Sequence, residues 1–428
     1  MNPKLKNFLR SLGPGILFAS TSIGVSHLVQ STRAGALYGF GLLWAIILAN
    51  LLKYPFFEYG SRYANVKGES IIDGYNKLGK WALWLYFLIT IGTMFFVTAA
   101  VGAVTAGFMD NLFGLSTMIG APSFRLALIL VFMVCIGILM AGHYSILDKL
   151  IKVIGSVLLI STLVAFLLAL LRGPAHHSEE IFVQVLPTDQ VGFALLIALM
   201  GWMPTALDLS AWNSLWTLER IHQTGYKPKL SETLTEFRFS YIITALLAPC
   251  FLLLGAYLLY GTGKTMPGDA AGFSHAVIGL YTENIGSWSR LLIAASAFSI
   301  MFGTSIAIFD GYSRSLERVM ILIRTGKQKE RGLKYSSSKT YNLSLIVVGS
   351  GAFLIVFQFG SALKNLVDVA TSISFLVAPV IALLNYRLVT GGDIPSRDRP
   401  GKLMRLLSGV GIVFLSVFSL VYLYRLLG

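Results

Sequence analysis

Two stretches of this chain place small, polar and ionisable side chains in the middle of long apolar runs. The first is STSIGVSHLVQSTRAGA at residues 20–36, and the second is ALMGWMPTALDLSAW at residues 198–212. They contain an imidazole, a thioether and a carboxylate, which can bind a transition metal, and the imidazole or the carboxylate could carry a proton. The predicted substrate site consists of Gly24, Ser26, His27, Met203, Thr205 and Asp208. Its predicted metal ligands are His27, Met203 and Asp208, and the candidate proton carriers are His27, Asp208 and Glu58.

The elements that must position these residues are membrane-spanning helices. Of the 428 residues, 55% are hydrophobic and only 13% are charged, a balance outside that of soluble domains. Apolar runs recur along the whole length, each long enough to cross a hydrocarbon core of about 30 Å. We predict an all-α membrane protein of eleven spans, at roughly residues 13–35, 38–62, 82–108, 124–142, 149–171, 190–215, 236–261, 289–312, 341–360, 363–388 and 403–425.

The charge distribution predicts the orientation. Most of the 34 Lys and Arg residues fall in the segments that share a side with the N-terminus, so the positive-inside rule places that side in the cytoplasm. We expect an integral protein of the plasma (inner) membrane that keeps its N-terminus, because no cleavage site follows the first apolar run. The basic loop at residues 324–339 would lie near anionic lipid, so the net charge of +14 needs no nucleic-acid partner.

Other common functions find no support in the sequence. Cys135 and Cys250 lie in apolar spans, where a thiol behaves as a small hydrophobic group. No phosphate-binding loop, metalloprotease motif or nucleophile elbow is present, so we predict neither an enzyme nor a cofactor. No oligomeric state follows from the sequence.

Helix breakers interrupt two spans that lie five spans apart. Gly24 lies in span 1, and Gly201 and Pro204 lie in span 6. Breaks at matching places predict an inverted repeat in which the unwound segments meet at the bilayer midplane and bind the substrate. Repeat one would cover about residues 13–172 and repeat two about 190–388, with an extra helix at about 403–425, all within one transmembrane domain. Alternatively, these residues only kink their helices or permit close packing.

The order of these features resembles a known family. Residues 13–50, GPGILFASTSIGVSHLVQSTRAGALYGFGLLWAIILAN, resemble the first two spans of the Nramp (natural resistance-associated macrophage protein) metal-ion transporters, and Met203-Pro204 fits the start of the family's Met-Pro-His-Asn motif. The resemblance implies the inverted-repeat (5+5) fold of the amino acid-polyamine-organocation superfamily, with discontinuous helices 1 and 6. It also implies alternating access and coupling to protons.

The chain departs from the family at the metal site. Where the family has Asp-Pro-Gly-Asn, this sequence has Gly24-Val25-Ser26-His27, so both side-chain oxygen ligands are lost. The His and Asn of span 6 are replaced by Thr205 and Ala206, and span 3 has no acidic cluster. Asp208 could compensate for the lost carboxylate, since helical spacing would place it on one stripe with Thr205 and Trp212.

Charged residues elsewhere in the spans have structural alternatives. Glu58 precedes Arg62 by four residues, and Asp310 precedes Arg314 by four, the favourable order for a helical ion pair. Lys53 could occupy the volume of a bound cation or tether Asp208.

Two other groups of residues could face the outer side. Asp368 could line the outer pathway or pair with Lys364. The loop residues His176, His177, Glu179 and Glu180 lack the ordered spacing of a metal site, and a solvated loop explains them as well.

We therefore predict a secondary active transporter of a cation, a divalent metal ion by the resemblance, with an altered substrate site. The partners would be that ion, the lipid bilayer and protons. The first alternative is the same fold carrying an amino acid or another small organic solute, because both metal-binding oxygens are lost. The second is a non-transporting membrane sensor or assembly partner.

Overall fold

A computed structural model describes residues 12–120, 123–142, 159–160, 162–264, 266–325, 338–359 and 362–427. Within these ranges the chain is helical and contains no strand. The beginning of predicted span 5 and most of the basic loop, at residues 326–337, lie outside the described residues. Helices of four or more turns make up most of the bundle, and three of them run for thirty residues or more.

The helices follow the predicted order. In the first half they are α1 (Pro14–Ser22), α2 (Thr32–Tyr38), α3 (Leu43–Lys67), α4 (Ile71–Leu78), α5 (Lys80–Phe113), α6 (Leu115–Ile119), α7 (Ser123–Met140) and α8 (Thr162–Arg172). In the second half they are α9 (Gln190–Gly201), α10 (Ser210–Thr224), α11 (Leu230–Leu259), α12 (Ala270–Ile285), α13 (Arg290–Thr325), α14 (Lys339–Phe359), α15 (Leu363–Thr390) and α16 (Lys402–Leu427).

Seven of the described helices are long and apolar enough to cross a membrane: α5, α7, α11, α13, α14, α15 and α16. The other predicted spans differ for identifiable reasons. Span 1 is divided into α1 and α2, span 6 is divided into α9 and α10, and span 5 is described only from residue 159. Span 2 corresponds to α3, a helix of 25 residues that carries four charged side chains, Lys53, Glu58, Arg62 and Lys67. The predicted all-helical fold is confirmed, and α4, α6 and α12 are additional helices outside the predicted spans.

Each interrupted span packs against a helix of the other half of the chain. The second part of span 1, α2, lies along α11, whereas the second part of span 6, α10, lies along α3. In the proposed repeat, span 1 corresponds to span 6 and span 2 to span 7, so each contact has its counterpart in the other half. This pairing is what the inverted repeat predicts, although the boundaries at residues 172 and 190 stay a prediction.

Glycines make these two contacts possible. A Cβ atom on Gly255 of α11 would lie 2.2 Å from the carbonyl oxygen of Thr32, and one on Gly60 of α3 would lie 2.4 Å from that of Ser210. Small residues at helix interfaces let backbones approach closely where lipid provides no hydrophobic driving force. The same device therefore positions both broken spans.

Two ion pairs predicted within the spans are present in the structure. The predicted Glu58–Arg62 pair is present at 2.6 Å, and Arg238 of α11 contacts the other Glu58 oxygen at 3.1 Å. The Asp310–Arg314 pair is also confirmed, at 2.8 Å.

The pairing of Asp368 with Lys364 is wrong, because Asp368 receives both terminal nitrogens of Arg33 from α2, at 2.7 and 3.1 Å. Arg33 makes a bidentate guanidinium contact from another helix, and such a contact is stronger and more directional than a single contact with a lysine ammonium.

The last helix lies at the edge of the bundle. α16 packs on α15 and α3, while side chains such as Leu403 and Tyr424 are about four-fifths exposed. Such an apolar, exposed face is expected of a helix that contacts lipid. The extra helix predicted at the end of the chain is therefore present, and it lies at the periphery of the bundle.

The glycine contacts predict a stability effect. Gly60→Ala and Gly255→Ala should each destabilise the folded protein, by about 1–3 kcal/mol, because a methyl group would force the paired backbones apart. The apparent midpoint of thermal unfolding in detergent measures this effect. Gly92→Ala is the control, since a Cβ at Gly92 meets nothing within 4 Å. Equal midpoints for all three variants would contradict the close-approach explanation.

Candidate substrate site

A small cavity lies where the two helix interruptions meet. Its volume is about 10 Å³, enough for a water-sized body. Two classes of side chain line it, hydroxyl groups and apolar groups. The hydroxyl residues are Thr21, Ser22, Ser26, Thr205 and Thr304, and the others are Val25, Val97, Val101, Trp202, Ala206, Leu209 and Ile308. No charged side chain contributes to this lining.

The interruption in span 1 follows from its small polar residues. α1 ends at Ser22, and the chain resumes as a wide helical turn at Ser26–Ser31 before α2. The freed carbonyl of Ser22 accepts a hydrogen bond from the Ser26 hydroxyl at 2.8 Å, and that of Ser20 accepts one from Thr304 of α13 at 2.7 Å. A Cβ on Gly24 would lie 3.0 Å from the Thr304 methyl, so glycine permits the approach of α13.

The interruption in span 6 contains a proline, Pro204. Pro204 has no N–H to donate to the preceding turn, and regular helix stops after Gly201. The chain then passes through residues 202–206 and a short 3-10 turn, Leu207–Leu209, before α10 begins. The carbonyls of Met200 and Gly201 accept hydrogen bonds from the Lys53 ammonium at 2.6 and 2.7 Å.

The two interruptions contact each other directly. The Ser26 hydroxyl lies 3.1 Å from the carbonyl oxygen of Pro204. The structure therefore brings Ser26 and Thr205 to one cavity, with Gly24 close beside it. In this respect the unwound segments meet as the sequence predicts.

His27 lies beside the cavity but does not line it. Its ring is fully buried, with Nδ1 2.6 Å from the Ser26 hydroxyl and Nε2 2.9 Å from the carbonyl oxygen of Thr244 in α11. Both ring nitrogens are therefore engaged in hydrogen bonds. A nitrogen would have to leave one of these partners before it could bind an ion.

Met203 and Asp208 are also buried outside the cavity lining. Oδ2 of Asp208 accepts a hydrogen bond from Thr93 of α5 at 2.8 Å, whereas its buried Oδ1 has no hydrogen-bond partner. The predicted stripe of Thr205, Asp208 and Trp212 is wrong, because the backbone between residues 202 and 209 is not α-helical. Helical spacing therefore does not apply across it.

The other predicted proton carrier is remote from this lining. Glu58 lies further along α3 and pairs with Arg62 and Arg238. Among the described residues, including the loop that holds His176 and Glu180, no group of three or more His, Cys, Asp or Glu side chains is arranged to hold a metal ion.

The sequence reasoning missed three hydroxyl residues of the cavity, all of its apolar lining residues and one important contact. Thr21 and Ser22 precede the first break, so their position was a usable signal. Thr304 comes from an uninterrupted helix with no local feature that marks it. Lys53 was singled out, but it binds the carbonyls of span 6, and no ion pair joins it to Asp208 in the described residues.

Comparison with known proteins agrees with this architecture. A family model described as natural resistance-associated macrophage protein-like matches residues 15–425. An uncharacterized protein of Pasteurella multocida (strain Pm70) is 36% identical over 421 residues, which cover 98% of this chain and 93% of that protein.

Solved structures share the fold at low sequence identity. An Eremococcus coleocola manganese transporter, in complex with an aromatic bis-isothiourea substituted compound, matches with a TM-score of 0.69 and 14% identity, over 98% of this chain and 87% of that one. MhsT in complex with L-phenylalanine matches with a TM-score of 0.57 and 12% identity, over 96% and 98% of the two chains.

The family match covers nearly the whole chain, and the broken helices, the apolar spans and the shared fold agree with it. The protein is thus an integral membrane protein that belongs to the Nramp family of transporters.

Proposed function

We propose that the protein is a secondary active transporter that moves a divalent metal cation by alternating access. The observation that carries this proposal is the hydroxyl-lined cavity between the two unwound segments. Its volume of about 10 Å³ suits an ion that has shed much of its hydration shell. Membership of the Nramp family supports a metal ion as the substrate, as does the fold shared with a manganese transporter.

The donor atoms at the cavity favour a hard cation. Those available are hydroxyl oxygens, including the buried Oγ of Ser22, which has no hydrogen-bond partner. Neutral oxygen ligands suit Mg²⁺ and Mn²⁺ better than soft ions. Because no carboxylate lines the cavity, we expect weaker binding than in a site with anionic ligands.

His27, Met203 and Asp208 remain the proposed additional ligands. They lie around the cavity rather than in it, so they would reach an ion only after local rearrangement. We propose His27 and Asp208 as the proton carriers. Each is an ionisable residue buried close to a helix interruption, and each makes hydrogen bonds to a neighbouring helix. Glu58 stays a weaker candidate because two arginines hold its carboxylate.

Contacts at both ends support a closed state around the cavity. At one end, Arg33 of α2 pairs with Asp368 of α15 and donates to Gln30 at 2.9 Å. At the other end, Glu236 of α11 accepts backbone hydrogen bonds from Gly13 and Gly15, at 3.1 and 2.8 Å. We propose that these contacts open alternately, with the N-terminus in the cytoplasm and the Asp368 end outside.

A second candidate substrate is a small organic solute such as an amino acid. It is favoured by the apolar part of the cavity lining, notably Val97, Val101 and Leu209, and by the absence of any charged lining residue. The fold is also that of MhsT, whose structure holds L-phenylalanine. The cavity would have to enlarge considerably to admit such a molecule. A non-transporting sensor is the third possibility, and an absence of uptake of either substrate class would favour it.

Reconstituted protein in liposomes should take up Mn²⁺ in a saturable manner, faster with an inward proton gradient than without one. Uptake should exceed that of protein-free liposomes, and unlabelled Mg²⁺ should compete better than Cd²⁺ because the donors are hard. Folded protein that moves no divalent ion but exchanges an amino acid would replace this proposal with the second candidate.

The proposed ligands predict a loss of transport without a loss of fold. His27→Ala and Asp208→Asn should each reduce the rate of Mn²⁺ uptake by roughly tenfold or more, as expected when groups that bind or orient a metal are removed. His177→Ala and Glu180→Gln are matched controls, because both side chains are exposed. Wild-type rates in His27→Ala and Asp208→Asn would remove these residues from the mechanism.

The Arg33–Asp368 pair predicts control of access from one side. Asp368→Asn removes the bidentate carboxylate and should shift the protein toward the state open at that end, because the guanidinium loses its charged partner. A cysteine introduced as Ser22→Cys, with Cys135 and Cys250 replaced by Ala, should then react about fivefold faster or more with an impermeant thiol reagent. Glu180→Gln is the control, and an unchanged rate in Asp368→Asn would show that this pair is not a gate.

A further inference from the structure

Lys53 has an unusual environment for a lysine in a membrane helix. Its side chain is fully buried in α3, and its ammonium donates hydrogen bonds to three backbone carbonyls of span 6. The distances are 2.6 Å to Met200, 2.7 Å to Gly201 and 3.4 Å to Thr205. Met200 and Gly201 are the last two residues of α9, and Thr205 lies in the interruption that follows them.

Carbonyl oxygens that converge on one point form a site for a small cation. Potassium-channel filters replace the hydration shell of the ion with backbone carbonyls, and unwound transporter helices coordinate sodium ions in the same way. Here the converging oxygens meet the Nζ atom of Lys53. The ammonium therefore has the position and the coordination that a bound monovalent ion would have.

Asp208 provides a second, independent observation. It lies three residues after Thr205, and its Oδ1 is buried without a hydrogen-bond partner. An orphaned buried carboxylate oxygen is costly unless a positive charge lies nearby. A cation at the three carbonyls would supply that charge without any direct hydrogen bond to Oδ1.

We propose that the unwound segment of span 6 is a monovalent-cation site that this chain fills permanently with the Lys53 ammonium. Lys53 is a positioning residue, which holds the interruption of span 6 in shape without a dissociable ion. Of its three carbonyl partners, only Thr205 belongs to a residue that also lines the substrate cavity. The Lys53 site therefore adjoins the substrate cavity at Thr205, and its test, which measures unfolding, does not depend on which substrate is carried.

The test removes the charge and offers free cations instead. Lys53→Ala should unfold at an apparent midpoint lower by about 3 °C or more in N-methyl-D-glucamine chloride, since buried carbonyls lose their donor. Replacing that salt with sodium, potassium or ammonium chloride at equal ionic strength should recover at least half of the loss. The midpoint of the wild type should not differ among these salts, because its site is already filled.

Lys53→Gln distinguishes charge from hydrogen bonding and also serves if Lys53→Ala does not fold. Its amide can donate to the same carbonyls but carries no charge, so it should remain less stable than the wild type and respond to small cations. Wild-type stability in Lys53→Gln would reduce Lys53 to a neutral hydrogen-bond donor and overturn the proposal. Absence of any cation response in both variants would overturn it as well.

Two further variants sharpen the result. Leu52→Ala removes a buried side chain from the same helix, so it should lower the midpoint equally in every salt. Combining Lys53→Gln with Asp208→Asn should weaken the cation response, because the nearby negative charge is lost. A cation response of equal size in Leu52→Ala would show a general salt effect and contradict the proposal.

Discussion

The bundle depends on how two interrupted helices satisfy their backbone carbonyls away from water. A helix inside a membrane satisfies its backbone polar groups with its own hydrogen bonds. Any break leaves carbonyl groups without donors, and lipid cannot donate a hydrogen bond to them. In this protein the required donors come from side chains on other spans. Thr304 donates to span 1, Lys53 donates to span 6, and Ser26 donates within span 1 and lies within hydrogen-bond distance of Pro204 in span 6. The breaks are therefore stable only when these spans are packed together.

The region around the two interruptions has a different charge from a divalent-metal site with anionic ligands. The aspartate that the family resemblance leads one to expect in span 1 is Gly24 here. In addition, span 2 contains a buried lysine, Lys53. Lys53 and Asp208 together contribute no net charge to the region when both are ionised. A divalent ion entering the cavity would thus meet neutral oxygens rather than a strong negative field. Its selection would depend on coordination geometry and on the cost of dehydration, which differs strongly between Mg²⁺ and larger ions.

Local patterns in the sequence predict the features that depend on local physics. Hydropathy places the spans, helix breakers place the interruptions, and a spacing of four residues correctly pairs Glu58 with Arg62. Features that depend on packing between helices are not accessible in this way. Nothing near Thr304 marks it as a cavity residue, and Asp368 pairs with a guanidinium 335 positions away. The stripe through Asp208 failed for a related reason, since it assumed regular helix across a segment that the same sequence signal breaks.

Thr205 connects the two sites in span 6. Its carbonyl accepts a hydrogen bond from Lys53 at 3.4 Å, and its residue also lines the cavity next to Ser26. A change in the unwound segment would therefore alter both the lysine contact and the cavity wall, because both use the same few residues. Ser26 adds a direct link to span 1 through Pro204. Movement of either half-helix would therefore change the wall of the cavity, because the Ser26–Pro204 and Lys53–Thr205 contacts involve adjacent residues of span 6.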